Sequence, residues 1–237
     1  MRTVSLQKSY INRVLASLPE LDIERLAPHL SPVTFTRNRT LESPGRKVDT
    51  VYFLEDGICS IVATMKNGTT VEVGLTGRDG FVGIPAILGS GNSPNRCFMQ
   101  IPGYGYSINA KTLIELSEGS GKLRSCLLRS VHGLFVQTAQ TAACNRVHEI
   151  HERLARWLLM CHDRIQADRL LVTQEFIAMM LGTRRSTVTV AAGILQNAGL
   201  IAYARGHVTI QNHAGLADAA CECYRIVHDE YIRLGLL

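Results

Sequence analysis

With 237 residues the chain has room for two domains of ordinary size, each with its own core. At 46% hydrophobic and 19% charged residues it is not a disordered polyelectrolyte, and no run approaches the ~18 apolar residues needed to span a bilayer. The formal charge is +5, yet residues 1–148 hold 16 basic and 11 acidic groups while 149–237 hold nine of each, so bulk basicity does not mark a nucleic-acid binder.

The opening stretch, MRTVSLQKSYINRVLASLPEL, interleaves polar residues with apolar ones and lacks the continuous apolar core of a signal peptide. It predicts a short amphipathic helix in a cytoplasmic protein. Pro28 and Pro32 then break regular structure. From Val33 to Ile108 the signals are short strands separated by turns. Val51–Leu54 ends at Glu55-Asp56-Gly57, Ile58–Met65 follows, and Asn67-Gly68 predicts a two-residue hairpin with positive φ at both positions. Val71, Val73 and Leu75 alternate with Thr70, Glu72 and Gly74, as in a half-buried strand. With the glycines and prolines that follow, this predicts an antiparallel jelly roll or barrel over residues 1–120. Cys97 beside Arg96 invites a redox-sensor reading, but a buried strand cysteine is the expectation.

Residues 121–148 contain no proline and predict one long helix. Its Leu123, Leu127, Ser130, Leu134, Gln137, Thr141, Cys144 and His148 recur at steps of three and four. That stripe predicts a homodimer seam through Leu123, Leu127, Leu134, Gln137, Thr141 and Cys144. A hinge is expected near Val147–Glu149, followed by a helix from Glu149 to Gln166. Cys144, His148 and Glu152 would line up beside His151 near the dimer axis if the helix ran straight. The hinge interrupts that line, so a polar, solvated joint and no metal are expected. The sequence HEIHE is one residue short of H-E-x-x-H. The seven cysteines are odd in number and include no CxxC, which predicts free thiols. Cys221 and Cys223, placed on a helix, would point in two directions and serve packing.

From Leu170 to Ile210 the pattern is helix, glycine turn, helix and hairpin, within a C-terminal domain of residues 149–237. Thr173 is a candidate N-cap, Phe176, Ile177, Met180 and Leu181 give the first helix an apolar face, and Gly182 suits a tight left-handed turn. The second helix would bury Val188, Ala191, Ala192 and Leu195, turn Ser186, Thr189, Val190 and Gly193 outward with Arg185 beside them, and end at Gly199. Leu200–Tyr203 and His207–Ile210 form a wing around Ala204-Arg205-Gly206. The only Asp, Glu, Lys or Arg in this segment are Glu175, Arg184, Arg185 and Arg205. A helix tipped with arginine and hydroxyls fits the major groove of double-stranded DNA. Arg185, Ser186 and Thr189 are assigned to base edges; Thr173, Gln174, Arg184, Thr187, Arg205 and His207 are assigned to phosphate. A terminal helix over Leu216–Leu234 should pack against this domain. No paired carboxylates, nucleophile elbow, P-loop or dinucleotide fingerprint is present, so no catalytic residue and no enzymatic activity are expected. The competing class is a ligand-, metal- or redox-responsive module that controls a protein partner without reading DNA.

This order of β-roll, long helix and winged helix-turn-helix, an α+β architecture of two domains, resembles the Crp–Fnr family of bacterial transcription regulators over nearly the whole chain. The best motif is Gly182-Thr183-Arg184-Arg185-Ser186-Thr187-Val188, similar to the family's G-x-S-R-x-T-V entry to the recognition helix. Gly57, Gly83 and Gly199-Leu200-Ile201 support it. The resemblance implies an inverted-repeat operator, RNA polymerase as protein partner and no membrane. Two departures matter. Ser186 replaces an acidic residue that would accept from cytosine, and Val190 stands where some members carry arginine. The effector cassette reads Gly83-Ile84-Pro85, then Arg96-Cys97, in place of G-E-L and R-S. Arg96 would match the phosphate partner and Thr138 the base contact, giving Gly83, Ile84, Arg96, Cys97 and Thr138 as effector-pocket candidates. Ile84 cannot accept a sugar hydroxyl and Pro85 removes a backbone donor, so cyclic AMP is not the expected effector. No cofactor is expected beyond an unidentified small-molecule effector; iron–sulfur cysteines and a haem-ligand pattern are absent.

Overall fold

The computed structural model describes residues 10–237. Residues 1–9 of the expected opening helix lie outside them; the remainder forms two short helices, α1 (Arg13–Ala16) and α2 (Glu20–Leu26). Asn12 caps α1 by accepting from Val14 and Leu15 N–H.

Seven strands follow: β1 (Ser31–Phe35), β2 (Thr40–Glu42), β3 (Thr50–Leu54), β4 (Ile58–Thr64), β5 (Thr70–Thr76), β6 (Arg96–Ile101) and β7 (Gly103–Asn109). They pair antiparallel into two sheets, ordered β1-β7-β3 and β2-β6-β4-β5. Phe35, Leu54, Cys59, Val82, Cys97 and Met99 form one buried cluster of this roll. The β4–β5 hairpin differs from the expected two-residue turn. Met65 N–H donates to Thr69 C=O and Gly68 N–H to Met65 C=O, leaving Lys66-Asn67-Gly68 as a three-residue loop. Only Gly68 takes positive φ (81°), since the type I turn needs one left-handed residue to rejoin the strand.

After α3 (Ile84–Ile87) and α4 (Ala110–Glu118), the rod α5 runs for 27 residues, Gly121–Val147. Its predicted seam is corrected by the packing. Leu123 and Leu127 are buried against the roll with Phe53, Phe81 and Leu113. Gln137 is buried between Leu75, whose N–H and C=O it binds, and the Tyr231 hydroxyl. Cys144 is buried against Cys221 and Cys223. Leu134 lines a cavity of the roll, and the Thr141 hydroxyl is bonded to Gln137 C=O and to Arg156. The stripe is therefore an intrachain face. It looked uncovered in the sequence because half its cover arrives some 90 residues later.

His148 ends α5 with extended backbone (ψ 150°), and α6 (Ile150–Ile165) restarts with a capping box between Glu149 and Glu152. Glu152 is thus occupied by a helix start. The rest comprises β8 (Arg169–Leu170), α7 (Gln174–Met180), α8 (Arg185–Asn197), β9 (Ile201–Ala204), β10 (His207–Ile210), α9 (His213–Ala219) and α10 (Cys223–Leu234). The expected single terminal helix is broken at 220–222, where Ala220 is extended, so Cys221 lies in a turn and Cys223 at the first helical position. α10 packs along α5 as well as α6: Gly133 lies under the Tyr231 ring, where a Cβ would come within 3.3 Å. The C-terminal half also shares a core with the roll, Trp157, Leu158, Ile177 and Val188 clustering with Ile58, Val62, Leu75 and Phe98. No helix of the described residues is long and apolar enough to cross a membrane.

Candidate nucleic-acid interface

The helix-turn-helix forms for the local reasons its sequence suggests. Thr173 Oγ1 accepts from Phe176 N–H at 3.2 Å, fixing the start of α7. Gly182 takes φ 61°, while Gly182 and Thr183 N–H close the helix end on the carbonyls of Met179 and Ala178. Val188, Ala191, Ala192 and Leu195 are buried, and the small alanines let α8 lie close against α6 and α7.

That packing turns Arg184, Arg185, Ser186, Thr189 and Val190 to solvent at the N-terminal end of α8. Arg185, 65% exposed, is held by a Glu175 carboxylate at 2.7 Å, and its Nε lies 3.4 Å from Gln174 Oε1. Thr189 Oγ1 lies 3.1 Å from the same Gln174 oxygen. The structure thus gathers Arg185, Thr189 and Gln174 into one exposed constellation, with Ser186 beside it; Thr187 is half-buried. Glu175 was not singled out from sequence. Its signal is its place as the segment's one acidic residue, in the first turn of the helix before the arginine's own.

The wing turns on Arg205 (φ 46°) and Gly206 (φ 82°), both left-handed, a two-residue turn whose twist suits an antiparallel pair. Arg205 is exposed at the tip. His207 Nε2 accepts from Arg169 Nη2 at 2.9 Å, which requires that imidazole nitrogen to be unprotonated. Arg169 was missed because β8, two residues long, gives no periodicity to read; it forms the third strand of the wing sheet, ordered β8-β10-β9.

Comparison with known proteins agrees with both halves of this architecture. A model of the cyclic nucleotide-binding domain matches residues 32–119 and a model of the Crp-like helix-turn-helix domain matches residues 152–219. The chain belongs to the Crp–Fnr family. It is a DNA-binding transcription regulator of that family. Among similar proteins, a global nitrogen regulator of Nostoc sp. is 24% identical over 78% of this chain and 86% of its own length. A protein of the same name from Synechococcus elongatus is 25% identical over 87% and 96%. The structure of FixK2 from Bradyrhizobium japonicum superposes with a TM-score of 0.69 at 15% identity, covering 81% of this chain and 98% of that one.

In this Crp–Fnr chain the effector candidates are only partly assembled. Gly83, Ile84 and Cys97 line one cavity with Glu42, Phe81, Pro85 and Leu134. Arg96 is turned away: its guanidinium rests on Thr40 Oγ1 (3.0 and 3.1 Å) and over the Phe98 ring. The half-buried Thr138 does not line the cavity either; its hydroxyl lies over Gly74 on β5. Arg96 is held away by its contacts with Thr40 and Phe98, and Thr138 faces Gly74 instead of the cavity. The cavity holds about 130 Å³, whereas small-molecule sites span roughly 300–1,000 Å³. Its charged group is Glu42, whose carboxyl burial raises above the ordinary carboxylate range against hydrogen bonds with Cys97 and the Gly83 backbone. Cys97 is pushed up well above an ordinary thiol, first by its hydrogen bond with Cys59 and then by burial, as befits a strand cysteine and not a thiolate sensor.

Proposed function

We propose that this regulator works as a cytoplasmic homodimer on an inverted-repeat operator, with Arg185 and Ser186 reading base edges, Thr189 assisting, and Arg184, Arg205 and Arg169 on phosphate. The observation that carries this reading is the exposed constellation of Arg185, Gln174 and Thr189 at the start of α8. Arg185 fits guanine through O6 and N7, a bidentate contact worth about 1–3 kcal/mol of discrimination. The half-buried Thr187 and the N-cap Thr173 support α8 and α7 at the phosphate surface. RNA polymerase is the protein partner that suits a promoter-bound regulator, and the role of a transcription regulator calls for no enzymatic activity.

The dimer reading is supported by a second stripe of α5, more exposed than the intrachain face beside it. Leu128, Val131, Phe135, Thr138 and Ala142 follow one another at steps of three and four, and Phe135 is 68% exposed. A two-fold axis along this stripe would present two copies of α8 to successive major grooves about 34 Å apart.

For the effector, the small cavity with a buried carboxyl and no arginine favours a small uncharged ligand, or a permanently filled roll, over a cyclic nucleotide. Selection of bound duplexes from a random pool by the purified protein tests the whole reading. The expected product is an inverted repeat bound equally well with and without cyclic AMP. Arg185→Ala should weaken that duplex by about 1–3 kcal/mol and relax one base pair in each half-site. An asymmetric product, or an alanine variant that binds as tightly as the parent, would refute the assignment.

A further inference from the structure

Outside the DNA-reading surface, one cluster of side chains has no role in anything described above. The last turn of α5 contributes Cys144, and its terminating residue contributes His148, four positions on. The break between α9 and α10 contributes Cys221 and Cys223. One ligand atom from each of these four residues lies within 4.8 Å of every other. Cys144 Sγ and Cys221 Sγ are 3.5 Å apart, as are Cys223 Sγ and His148 Nδ1.

These separations have a simple geometric meaning. With zinc–sulfur bonds of about 2.3 Å and zinc–nitrogen bonds of about 2.0–2.1 Å, a tetrahedral ion holds its sulfurs ~3.8 Å apart and a sulfur and nitrogen ~3.5 Å apart. The cluster already stands within a few tenths of an ångström of those edges at the two measured pairs. Its surroundings are also those of a ligand set. His148 Nε2 lies 3.1 Å from the Glu222 carboxylate, which fixes the proton there and leaves Nδ1 free to donate its lone pair. Gln140 Nε2 donates to Cys223 Sγ at 3.1 Å. Three thiolates and one divalent cation leave a net charge of −1, and the buried Arg156 stands where it acts electrostatically on Cys144. Packing alone does not explain three buried sulfurs that cluster with one another instead of joining the aliphatic core.

We propose that Cys144, His148, Cys221 and Cys223 form a Cys3His site for zinc, which ties the end of the rod to the α9–α10 corner and so fixes the angle of the reading head. On binding, up to three thiol protons are released to solvent as sulfur–zinc bonds form; nothing is oxidised or reduced. The angle follows because Leu216 of α9 is part of the core that also contains Val188 and Leu195 of α8, while Cys144 belongs to α5. The metal therefore bridges the hinge at His148. The site stands on its own geometry; its effect on DNA rests on the DNA-binding reading.

The test uses the full-length protein, purified without chelator, then stripped and titrated with zinc or cobalt alone. One zinc per chain is expected, and cobalt should give a thiolate charge-transfer band with the intense visible bands of a tetrahedral ion. Cys144→Ser and Cys221→Ser should each abolish stoichiometric binding. Glu222→Gln, which leaves every ligand and the packing in place, should weaken zinc about 10- to 100-fold. Cys126→Ser, elsewhere on α5, should bind as the parent does. Absence of stoichiometric metal and of the cobalt bands overturns the site, as does a Cys144–Cys221 disulfide that forms under mild oxidant in a protein that takes up no zinc. On a selected duplex, stripping should change affinity at least tenfold. Unchanged affinity with complete metal loss overturns the control of the head, whereas a protein that binds zinc but no duplex overturns the DNA-reading assignment alone.

Discussion

Arg185 is restrained before it meets DNA. Its guanidinium is paired with Glu175 at 2.7 Å, both groups being more than half exposed, and exposed pairs are worth about 0–1 kcal/mol. Such a pair is weak enough to exchange for guanine yet adequate to keep the side chain aimed along α8. In the proposed docking, this exposed carboxylate at the start of α7 would also repel the phosphates. Glu175→Gln should therefore tighten binding to the selected operator and to random duplex alike by about two- to fivefold, narrowing the ratio between them; titrations of both duplexes at one salt concentration measure this. A drop in operator affinity would mean that Glu175 positions Arg185 more than it opposes DNA. The arginine, Ser186 and Thr189 were legible because a helical wheel places residues on a face once the buried set is known, and Val188, Ala191, Ala192 and Leu195 declare that set. Glu42 and Arg169 were not legible. Their roles come from which strand lies beside which, and neither β2 nor β8 has enough residues to show a pattern.

At the scale of the element, α5 shows what periodicity can and cannot decide. Both of its stripes have steps of three and four. The more regular one, through Leu123, Leu127, Gln137 and Cys144, turned out to be buried within the chain. Spacing reports that a face is covered, never by what. The covering α10 is separated by roughly 90 residues, and the fit depends on Gly133 admitting the Tyr231 ring, a requirement that appears in sequence only as a lone glycine inside a helix. The second stripe is weaker, diluted by Thr138 and Ala142, and does not stand out in the sequence. Its exposed aromatic distinguishes the two. Phe135→Asp introduces a charge at the centre of the proposed seam without touching the intrachain core, since Phe135 is 68% exposed. The variant should stay folded and sediment as a monomer at concentrations where the parent is a dimer, and lose operator affinity by at least a hundredfold because each half-site is then bound alone. Sedimentation equilibrium decides it; a dimeric variant would show that the chains associate elsewhere.

Across the whole molecule, the reading head is docked on the roll through polar groups taken fully out of water. Arg164 of α6 meets Asp79 at 2.7 Å with both side chains buried, and Trp157 Nε1 donates to Glu72 Oε1 at 2.8 Å. The second contact carries a pH dependence. Burial raises the Glu72 carboxyl to about 7, with hydrogen bonds from Ser60 and Trp157 and the charges of Arg164 and Arg156 opposing the rise. A carboxyl raised in this way keeps its proton in the folded chain at pH values where the unfolded chain, near the ordinary 4.5, has lost it. The folded state then binds the extra proton, so the group's contribution to stability is complete below that ordinary value and is lost as pH rises through about 7. Above that point the protein holds a buried carboxylate whose Oε2 has no hydrogen-bond partner, a penalty on the order of a few kcal/mol. Glu72→Gln keeps an acceptor for Trp157 and removes the titration. The variant should match the parent near pH 4 and exceed it in thermal stability at pH 8, where an increment of 2 kcal/mol corresponds to roughly 4–8 °C in a protein of this size. Melting curves of both proteins across that range decide the matter. Parallel curves would mean that Glu72 is ionised in the folded protein throughout, balanced by the arginines beside it. A gap that opens between about pH 4.5 and 7 and then stays constant would place the titrating group at the junction of roll and head, where its ionisation weakens the docking of one on the other.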